Sequence, residues 1–115
     1  MKLIYLASPY GAKSEFGIFT NILNAHLKAR ELIIKLYPDG FIISPCSNSA
    51  FFGGEEVPEK CSLDGDFEII KRCDAIFLNK GWENSKGCKA EKKLAESLEI
   101  PIFTEEDDLE AWAKA

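Results

Sequence analysis

The sequence predicts an α/β fold in which a doubly wound, mostly parallel sheet of four to five strands carries helices on both faces. Three observations lead to this prediction. Short apolar runs alternate with amphipathic stretches of helical spacing along the 115 residues, as in βαβ units. The first run is almost continuously apolar, which is typical of a central parallel strand covered on both sides. No repeat or linker interrupts the alternation, so residues 1–115 are predicted to form one domain of flavodoxin- or Rossmann-like layout.

The first half of the chain predicts a strand followed by a long helix. The apolar run at 3–7 forms the strand and ends in the turn residues 8–11. A loop is predicted from there to about residue 19. Apolar residues then recur at helical spacing from Ile22 to Leu36, and the Pro-Asp-Gly turn at 38–40 ends this helix.

The second half continues the alternation. The predicted elements are, in order, a strand at 41–44, a long loop at 46–61, a helix at 62–73, a strand at 75–78, a helix at 85–98, a short strand at 100–103 and a helix at 105–114. A loop as long as the one predicted here is usually functional or mobile in a small domain. In a sheet of this kind, ligands bind beyond the carboxyl ends of the strands, so the site is expected at that edge.

Composition excludes several classes of function. The net charge of −5 and the pI near 4.9 provide no basic surface, so polymeric nucleic acid is not an expected partner. The first apolar run is too short for a membrane span or a signal-peptide core, which predicts a cytoplasmic protein without a membrane partner. Four cysteines without CxxC spacing predict reduced thiols and no metal site.

Two acidic residues lie on helical faces that are otherwise apolar. Apolar residues follow both Glu91 and Asp66 at offsets of three, four and seven, the last one after Glu91 being Leu98, so each acid should face the interior. A structural role is the alternative, with Asp66 as a helix cap and Glu91 as a first-turn acid favoured by the helix dipole. As a pair, the acids could separate into proton donor and nucleophile, which glycosidic bond cleavage requires.

Residues 84–87 join a predicted strand to the following helix and could hold an anion. Helix-start amides, the Ser85 hydroxyl and the missing side chain of Gly87 suit a phosphate. The segment lacks the spacing of a P-loop, so a plain helix cap at Ser85 is the alternative. Tyr5 lies in an aliphatic strand and is either a core tyrosine or one that contacts an active-site carboxylate.

Two further features have both a structural and a functional interpretation. His26 stands alone on its helical face and is interpreted as a packed or interface histidine. Aromatic residues of predicted loops and helix edges could stack on a planar base or simply close the core. These aromatic residues are Phe16, Phe19, Phe51, Phe52 and Trp82.

Three segments of the chain resemble the nucleoside 2-deoxyribosyltransferase-like superfamily, which includes deoxyribosyltransferases and nucleoside 5′-monophosphate N-glycosidases. They are Ile-Tyr-Leu-Ala-Ser-Pro-Tyr at 4–10, the aspartates at 66 and 74, and Trp-Glu-Asn-Ser-Lys-Gly-Cys-Lys-Ala-Glu at 82–91. The third segment is the most specific, with a serine six residues before a glutamate and a glycine between them. The chain looks most similar to a small branch related to the monophosphate N-glycosidases.

The resemblance implies roles for individual residues. By position, Glu91 matches the family nucleophile, Asp66 the acid that handles the departing base, and Tyr5 the tyrosine that orients the nucleophile. Ser85 matches the position that contacts the 5′ end of the sugar, where serine is typical of monophosphate-cleaving members. The residues predicted to bind the substrate are Ser8, Tyr10, Gly11, Ser85 and Gly87.

The implied activity is cleavage of the N-glycosidic bond of a (deoxy)nucleoside 5′-monophosphate or nucleoside, by hydrolysis or base transfer. It proceeds through a covalent glycosyl-Glu91 intermediate and needs no cofactor. The resemblance also implies a homodimer or larger assembly. Two alternatives remain from other classes: a nucleotide- or metabolite-binding module of the same fold without turnover, and a flavodoxin- or receiver-like domain, which lacks its expected motifs here.

Overall fold

The structure is a computed structural model that describes residues 1–48 and 59–115. Its strands are β1 (Lys2–Ala7), β2 (Gly40–Ile43), β3 (Ala75–Leu78) and β4 (Ile102–Phe103). Its helices are α1 (Glu15–Leu36), α2 (Pro45–Asn48), α3 (Glu59–Lys71), α4 (Lys86–Ser97) and α5 (Glu106–Lys114), and a 3₁₀ turn spans Trp82–Asn84.

The four strands form one parallel sheet in the order β2-β1-β3-β4. From β1 the chain passes through α1 to β2 on one side, whereas from β3 it passes through α4 to β4 on the other. The direction of winding therefore reverses between β1 and β3, and a crevice is expected at their carboxyl ends. The predicted α/β fold is confirmed, with four strands in residues 1–48 and 59–115.

Alternate residues of β1 point into opposite layers. Ile4 and Leu6 pack with residues of α1 and α5, whereas Tyr5 and Ala7 pack with residues of α3 and α4. Because helices cover both faces, all four of these residues are fully buried. The phenol of Tyr5 is thereby directed into the layer that contains α3 and α4.

Several boundaries differ from the sequence prediction. Helix α1 begins at Glu15 rather than after residue 19, because the Ser14 hydroxyl accepts a hydrogen bond from the Gly17 N–H at 3.0 Å and caps the helix. Helix α3 begins at Glu59 rather than at residue 62. The predicted loop at 46–61 is thus helical at both ends, and its central residues 49–58 lie outside the described residues.

Helix α4 ends one residue earlier than predicted. Leu98, expected to face the interior, lies beyond the helix and is 42% exposed, so that prediction is wrong. The reason is a change of backbone direction at Glu99, which adopts a left-handed φ of 58°. Ile100, which directly follows Glu99, packs against the layer of α3 and α4.

Candidate active site

A cavity of about 820 Å³ opens at the carboxyl ends of β1 and β3, in the crevice where the winding reverses. Four segments of the described chain line it: the turn after β1, the start of α2, one side of α3, and the stretch from the 3₁₀ turn into α4. Segments distant in sequence therefore meet at the edge of the sheet where a ligand was expected.

Seven of the eight predicted site residues line this cavity. They are Ser8, Tyr10, Gly11, Asp66, Ser85, Gly87 and Glu91. The eighth, Tyr5, is fully buried in β1, and its hydroxyl donates a hydrogen bond to Glu91 Oε2. The structure thus brings all eight residues into one neighbourhood.

Glu91 is a buried carboxyl, 6% exposed, at the sixth position of α4. That position lies beyond the first turn, so stabilisation by the helix dipole does not explain the acid. Burial raises the pKa of Glu91 to about 7; the hydrogen bond from Tyr5 opposes this shift, and the charge of Asp66 adds to it. Near neutral pH, Glu91 therefore exchanges between its neutral and ionised forms.

Asp66 lies in the middle of α3, at the eighth residue of the helix. Capping acts at the helix start, so the structure excludes the interpretation of Asp66 as a cap. Its side chain is half-buried, and this burial raises the pKa of Asp66 to about 6. The cavity therefore holds two carboxyls whose pKa values are both raised toward neutrality.

The Tyr5 hydroxyl is a fixed hydrogen-bond donor. Burial and the neighbouring charges of Glu91 and Asp66 hold the pKa of the Tyr5 phenol far above its ordinary value. The phenol consequently keeps its proton at and well above neutral pH, and its bond to Glu91 joins the central strand to α4.

Ser85 and Gly87 mark the start of α4. The Ser85 Oγ accepts a hydrogen bond from the Cys88 N–H at 3.2 Å, so Ser85 is a helix cap as well as a cavity residue. This bond uses a lone pair of the hydroxyl oxygen, so Ser85 can still donate its hydrogen, either to the neighbouring Cys88 thiol or to a ligand. A Cβ added at Gly87 would meet no atom closer than Ser85 Oγ at 3.9 Å. The protein leaves this space open on the cavity side.

Asn79, which sequence reasoning missed, connects the two central strands beneath the cavity. It is buried directly after β3; its Nδ2 donates to Ser8 Oγ at 3.1 Å, and its backbone N–H donates to Ala7 O at 2.8 Å. Because Ser8 Oγ accepts this bond, the Ser8 hydroxyl can donate its own hydrogen to a ligand. A polar residue immediately after an all-apolar strand was the signal for it.

Two cysteines also line the cavity and were not predicted there. Burial raises the pKa of Cys46 to about 12 and that of Cys88 to about 11, so both thiols are neutral. All four cysteines of the chain are free. Within residues 1–48 and 59–115, no group of three His, Cys, Asp or Glu side chains is arranged to hold a metal ion, and no helix is long and apolar enough to cross a membrane.

The other residues considered in the sequence lie elsewhere. His26 is exposed on α1, with its Nδ1 3.4 Å from Ser47 Oγ. Phe16 and Phe19, predicted in a loop, are exposed on α1 instead, and Trp82 packs against the layer of α3 and α4. Residues 51 and 52 lie outside the described part of the chain. Among the aromatic residues that the structure describes, only Tyr10 lines the cavity.

A second cavity of about 670 Å³ lies on the other side of the carboxyl end of β3. Two of its lysines form ion pairs with acids of α5: Lys28 lies 3.6 Å from Glu106, and Lys35 lies 3.1 Å from Asp107. In the first cavity, by contrast, the two acids lie together with raised pKa values, a property typical of catalytic groups. The first cavity is therefore the candidate active site.

Comparison with known proteins identifies the family. Residues 11–104 match the family model described as "Domain of unknown function (DUF4406)". The chain belongs to the DUF4406 family. No curated protein matches it.

A solved structure matches this DUF4406 chain in fold. It is the 2-deoxyribosyltransferase from the psychrotolerant bacterium Bacillus psychrosaccharolyticus, with a TM-score of 0.62 and 19% identity over 94% of this chain and 90% of that chain. The deoxyribosyltransferase-like fold expected from the sequence is thus confirmed. The finer assignment to a monophosphate-cleaving branch belongs to the proposal below.

Proposed function

We propose that this protein cleaves the N-glycosidic bond of a (deoxy)nucleoside or its 5′-monophosphate. One observation carries the proposal: Asp66 and Glu91, from different helices, line a single cavity, and a buried tyrosine holds Glu91. Two carboxyls flanking one centre are the usual equipment of enzymes that cleave glycosidic bonds. The resemblance of segments 4–10 and 82–91 to the deoxyribosyltransferase-like superfamily supports the same chemistry.

The proposed reaction has two steps. In the first, a carboxylate oxygen of Glu91 forms a bond to the anomeric carbon while the bond between that carbon and the base nitrogen breaks. The base leaves with the electron pair of the broken bond, and Asp66 donates a proton to it. In the second step, water or another base attacks the anomeric carbon, frees Glu91 and returns a proton to Asp66.

Tyr5 acts on Glu91 in two ways. Its hydrogen bond favours the ionised form of Glu91, which is the form able to attack. The same bond fixes the orientation of the carboxylate, because the phenol is fully buried in β1. Tyr5 is therefore a positioning residue beneath the nucleophile.

The reaction requires that Glu91 be ionised and Asp66 protonated. In the ligand-free cavity burial raises the pKa of both carboxyls toward neutrality, so burial alone does not assign the proton to Asp66. A base bound against the half-buried Asp66 would exclude water from it and raise its pKa further. Substrate binding thus moves the pair toward the reactive arrangement.

The start of α4 is the proposed binding site for the 5′ end of the substrate. Ser85, Lys86 and Gly87 line the cavity there, and the free amides of a helix start attract a phosphate. Ser8, Tyr10 and Gly11, in the turn after β1, contact the rest of the substrate in this proposal. The cytoplasmic location implied by the sequence stays a prediction and does not enter the mechanism.

The proposal is tested with a panel of ribo- and deoxyribonucleosides, each paired with its 5′-monophosphate, by following release of free base chromatographically. Asp66→Asn is the informative variant, because general acid catalysis contributes roughly 100- to 10,000-fold to a rate. Asp64→Asn is the matched control, since Asp64 is an exposed acid of the same helix that pairs with Lys60.

We expect the native protein and Asp64→Asn to release base at equal rates and Asp66→Asn to be at least 100-fold slower. If no base is released, calorimetric measurement of binding to the same panel distinguishes two explanations. A protein that binds a nucleotide without releasing its base is a binding module, and a protein that binds none of the panel uses this cavity for another ligand. Either result would overturn the proposed activity.

A further inference from the structure

Helix α1 has apolar residues on two opposite faces. The inner face is buried in the core and comprises Ala25, Ala29, Leu32 and Leu36. The other face, here called the outer stripe, comprises Phe16, Leu23, Leu27 and Ile34, continued by Tyr37 directly after the helix, and these residues are 45% to 79% exposed. A surface helix normally has charged and polar residues opposite its core face, so packing within the described residues, 1–48 and 59–115, does not account for the outer stripe.

The outer stripe runs nearly parallel to the axis of α1. With 100° of rotation per residue, Phe16, Leu23, Leu27 and Ile34 fall within about 40° of one line along the 22-residue helix. Judged from the size of its side chains, the outer stripe exposes roughly 600 Å², more than a scattering of single apolar residues gives. A standard interface uses about 800 Å² per partner.

We propose that the outer stripe is the contact between two copies of this chain, with their α1 helices packed antiparallel about a two-fold axis. In such an interface, if residue i faces residue j of the partner, then j faces i. A single register, in which the two numbers add up to 50, places Phe16 opposite the partner's Ile34 and Leu23 opposite the partner's Leu27. All four residues of the straight line are paired by this register.

Charge favours the antiparallel arrangement. Arg30 lies on the edge of the outer stripe, and the antiparallel register places it opposite the partner's Thr20, a neutral residue. A parallel pair would instead bring Arg30 toward the partner's Arg30, and two like charges at a contact are unfavourable. Antiparallel neighbours also have opposed helix dipoles.

The contact borders the candidate active site without forming part of it. Asn21 of α1 donates from Nδ2 to the carbonyl oxygens of Tyr10 at 3.0 Å and Gly11 at 3.3 Å, and both of these residues line the cavity. Packing of α1 against a second copy therefore steadies the turn that borders the cavity. The dimer stands on the outer stripe alone and does not depend on the proposed glycosidic activity.

Sedimentation equilibrium of the full chain tests the contact. We expect the native protein to be a dimer at tens of micromolar, and Leu23→Glu to raise its dissociation constant at least 100-fold. Leu98→Glu is the matched control, because Leu98 has similar exposure but lies beyond α4, off the outer stripe; it should leave the dissociation constant unchanged. Circular dichroism melting of each variant shows that it is folded.

Mixing two variants tests the register. Leu23→Glu and Leu27→Lys should each be monomeric alone, and their mixture should form a 1:1 dimer, because the antiparallel register places the new carboxylate beside the partner's new ammonium group. A native protein that stays monomeric at several hundred micromolar, or a dimer that Leu23→Glu leaves intact, overturns the proposed contact. Folded monomeric variants that do not associate on mixing overturn the antiparallel register.

Discussion

Glu91 and Asp66 belong to one cavity but differ in their access to water. Glu91 is buried beneath the cavity surface and bonded to Tyr5, whereas Asp66 is only half-buried on the side of α3. A ligand can therefore change the surroundings of Asp66 more than those of Glu91. In the proposed reaction this difference suits the two carboxyls to separate roles, although burial is the largest cause of the raised pKa at both.

Substitution of Gly87 by alanine should increase stability and weaken activity. Alanine at this helical position is expected to stabilise the fold by about 0.5 kcal/mol, because an added Cβ meets only Ser85 Oγ at 3.9 Å. The methyl group would occupy cavity space, so KM for the cleaved substrate should rise at least about 10-fold. Thermal melting and steady-state kinetics of Gly87→Ala measure the two effects.

Gly65→Ala is the control for Gly87→Ala. Gly65 is an exposed residue inside α3 with nothing within 4 Å of an added Cβ. The Gly65→Ala variant should show a similar gain in melting temperature, and its kcat and KM should equal those of the native protein. If Gly87→Ala leaves KM unchanged as well, the substrate does not approach the start of α4 and the proposed 5′ site is misplaced.

The buried Glu91 carboxyl should also make stability depend on pH. Its pKa is about 7 in the folded protein, against an ordinary value of 4.5, so the folded state binds more protons than the unfolded state between these values. The contribution of Glu91 to the free energy of unfolding is therefore fully present below about pH 4.5 and is lost as the pH rises through 7. The loss is at most about 3 kcal/mol.

Glu91→Gln removes this dependence while keeping the size of the side chain. We expect its melting temperature to be close to that of the native protein at pH 5 and above it at pH 8, when both are measured in the same buffers. Glu96→Gln, a change at an exposed acid of the same helix, should show no such divergence. If the melting temperatures of Glu91→Gln and the native protein differ by the same amount at pH 5 and pH 8, burial of the ionised Glu91 carboxylate costs little stability.

At the scale of elements, β1 and α4 act together through one side-chain hydrogen bond. Tyr5 and Glu91 are 86 residues apart in sequence, and no local pattern predicts their contact. Only the resemblance to a known family placed them together before the structure did. The acidic residues differ in this respect, because helical spacing alone predicts that both Glu91 and Asp66 face the interior.

Tyr5→Phe should shift the pH dependence of the reaction. Activity requires Glu91 ionised, and the hydroxyl of Tyr5 lowers the pKa of Glu91 relative to burial alone. Its removal should move the acidic limb of the kcat/KM profile to higher pH and lower the maximum, with the basic limb less affected. An unshifted acidic limb would mean that Tyr5 serves packing only.

Element boundaries were the least predictable part of the fold. The helical pattern of α1 was read from its inner face, which begins to repeat at Ile22, whereas Phe16 and Phe19 belong to the opposite face and so broke that pattern. The cap at Ser14 is visible in the sequence but competes with many other serines. The early start of α3 then moved Asp66 from a helix start to a helix centre.

At the scale of the whole molecule, the fold followed from periodicity and chain direction. Apolar runs that alternate with amphipathic helices define parallel strands, and right-handed crossovers leave few possible strand orders. The order β2-β1-β3-β4 then places the crevice between β1 and β3. The contacts of Asn79 and Cys46 escaped prediction because they depend on how separate elements pack, whereas the outer stripe of α1 escaped because its first residue, Phe16, was assigned to a loop.

The most direct test of the proposed mechanism is whether Glu91 becomes covalently attached to sugar during turnover. Rapid quenching during cleavage of a substrate from the panel, followed by intact-protein and peptide mass spectrometry, should reveal a sugar or sugar-phosphate adduct on Glu91 of the native protein. Glu91→Gln should bind the substrate and carry no adduct, with base release slower by several orders of magnitude, while Glu96→Gln behaves like the native protein. A folded Glu91→Gln variant that releases base at the native rate would contradict the mechanism.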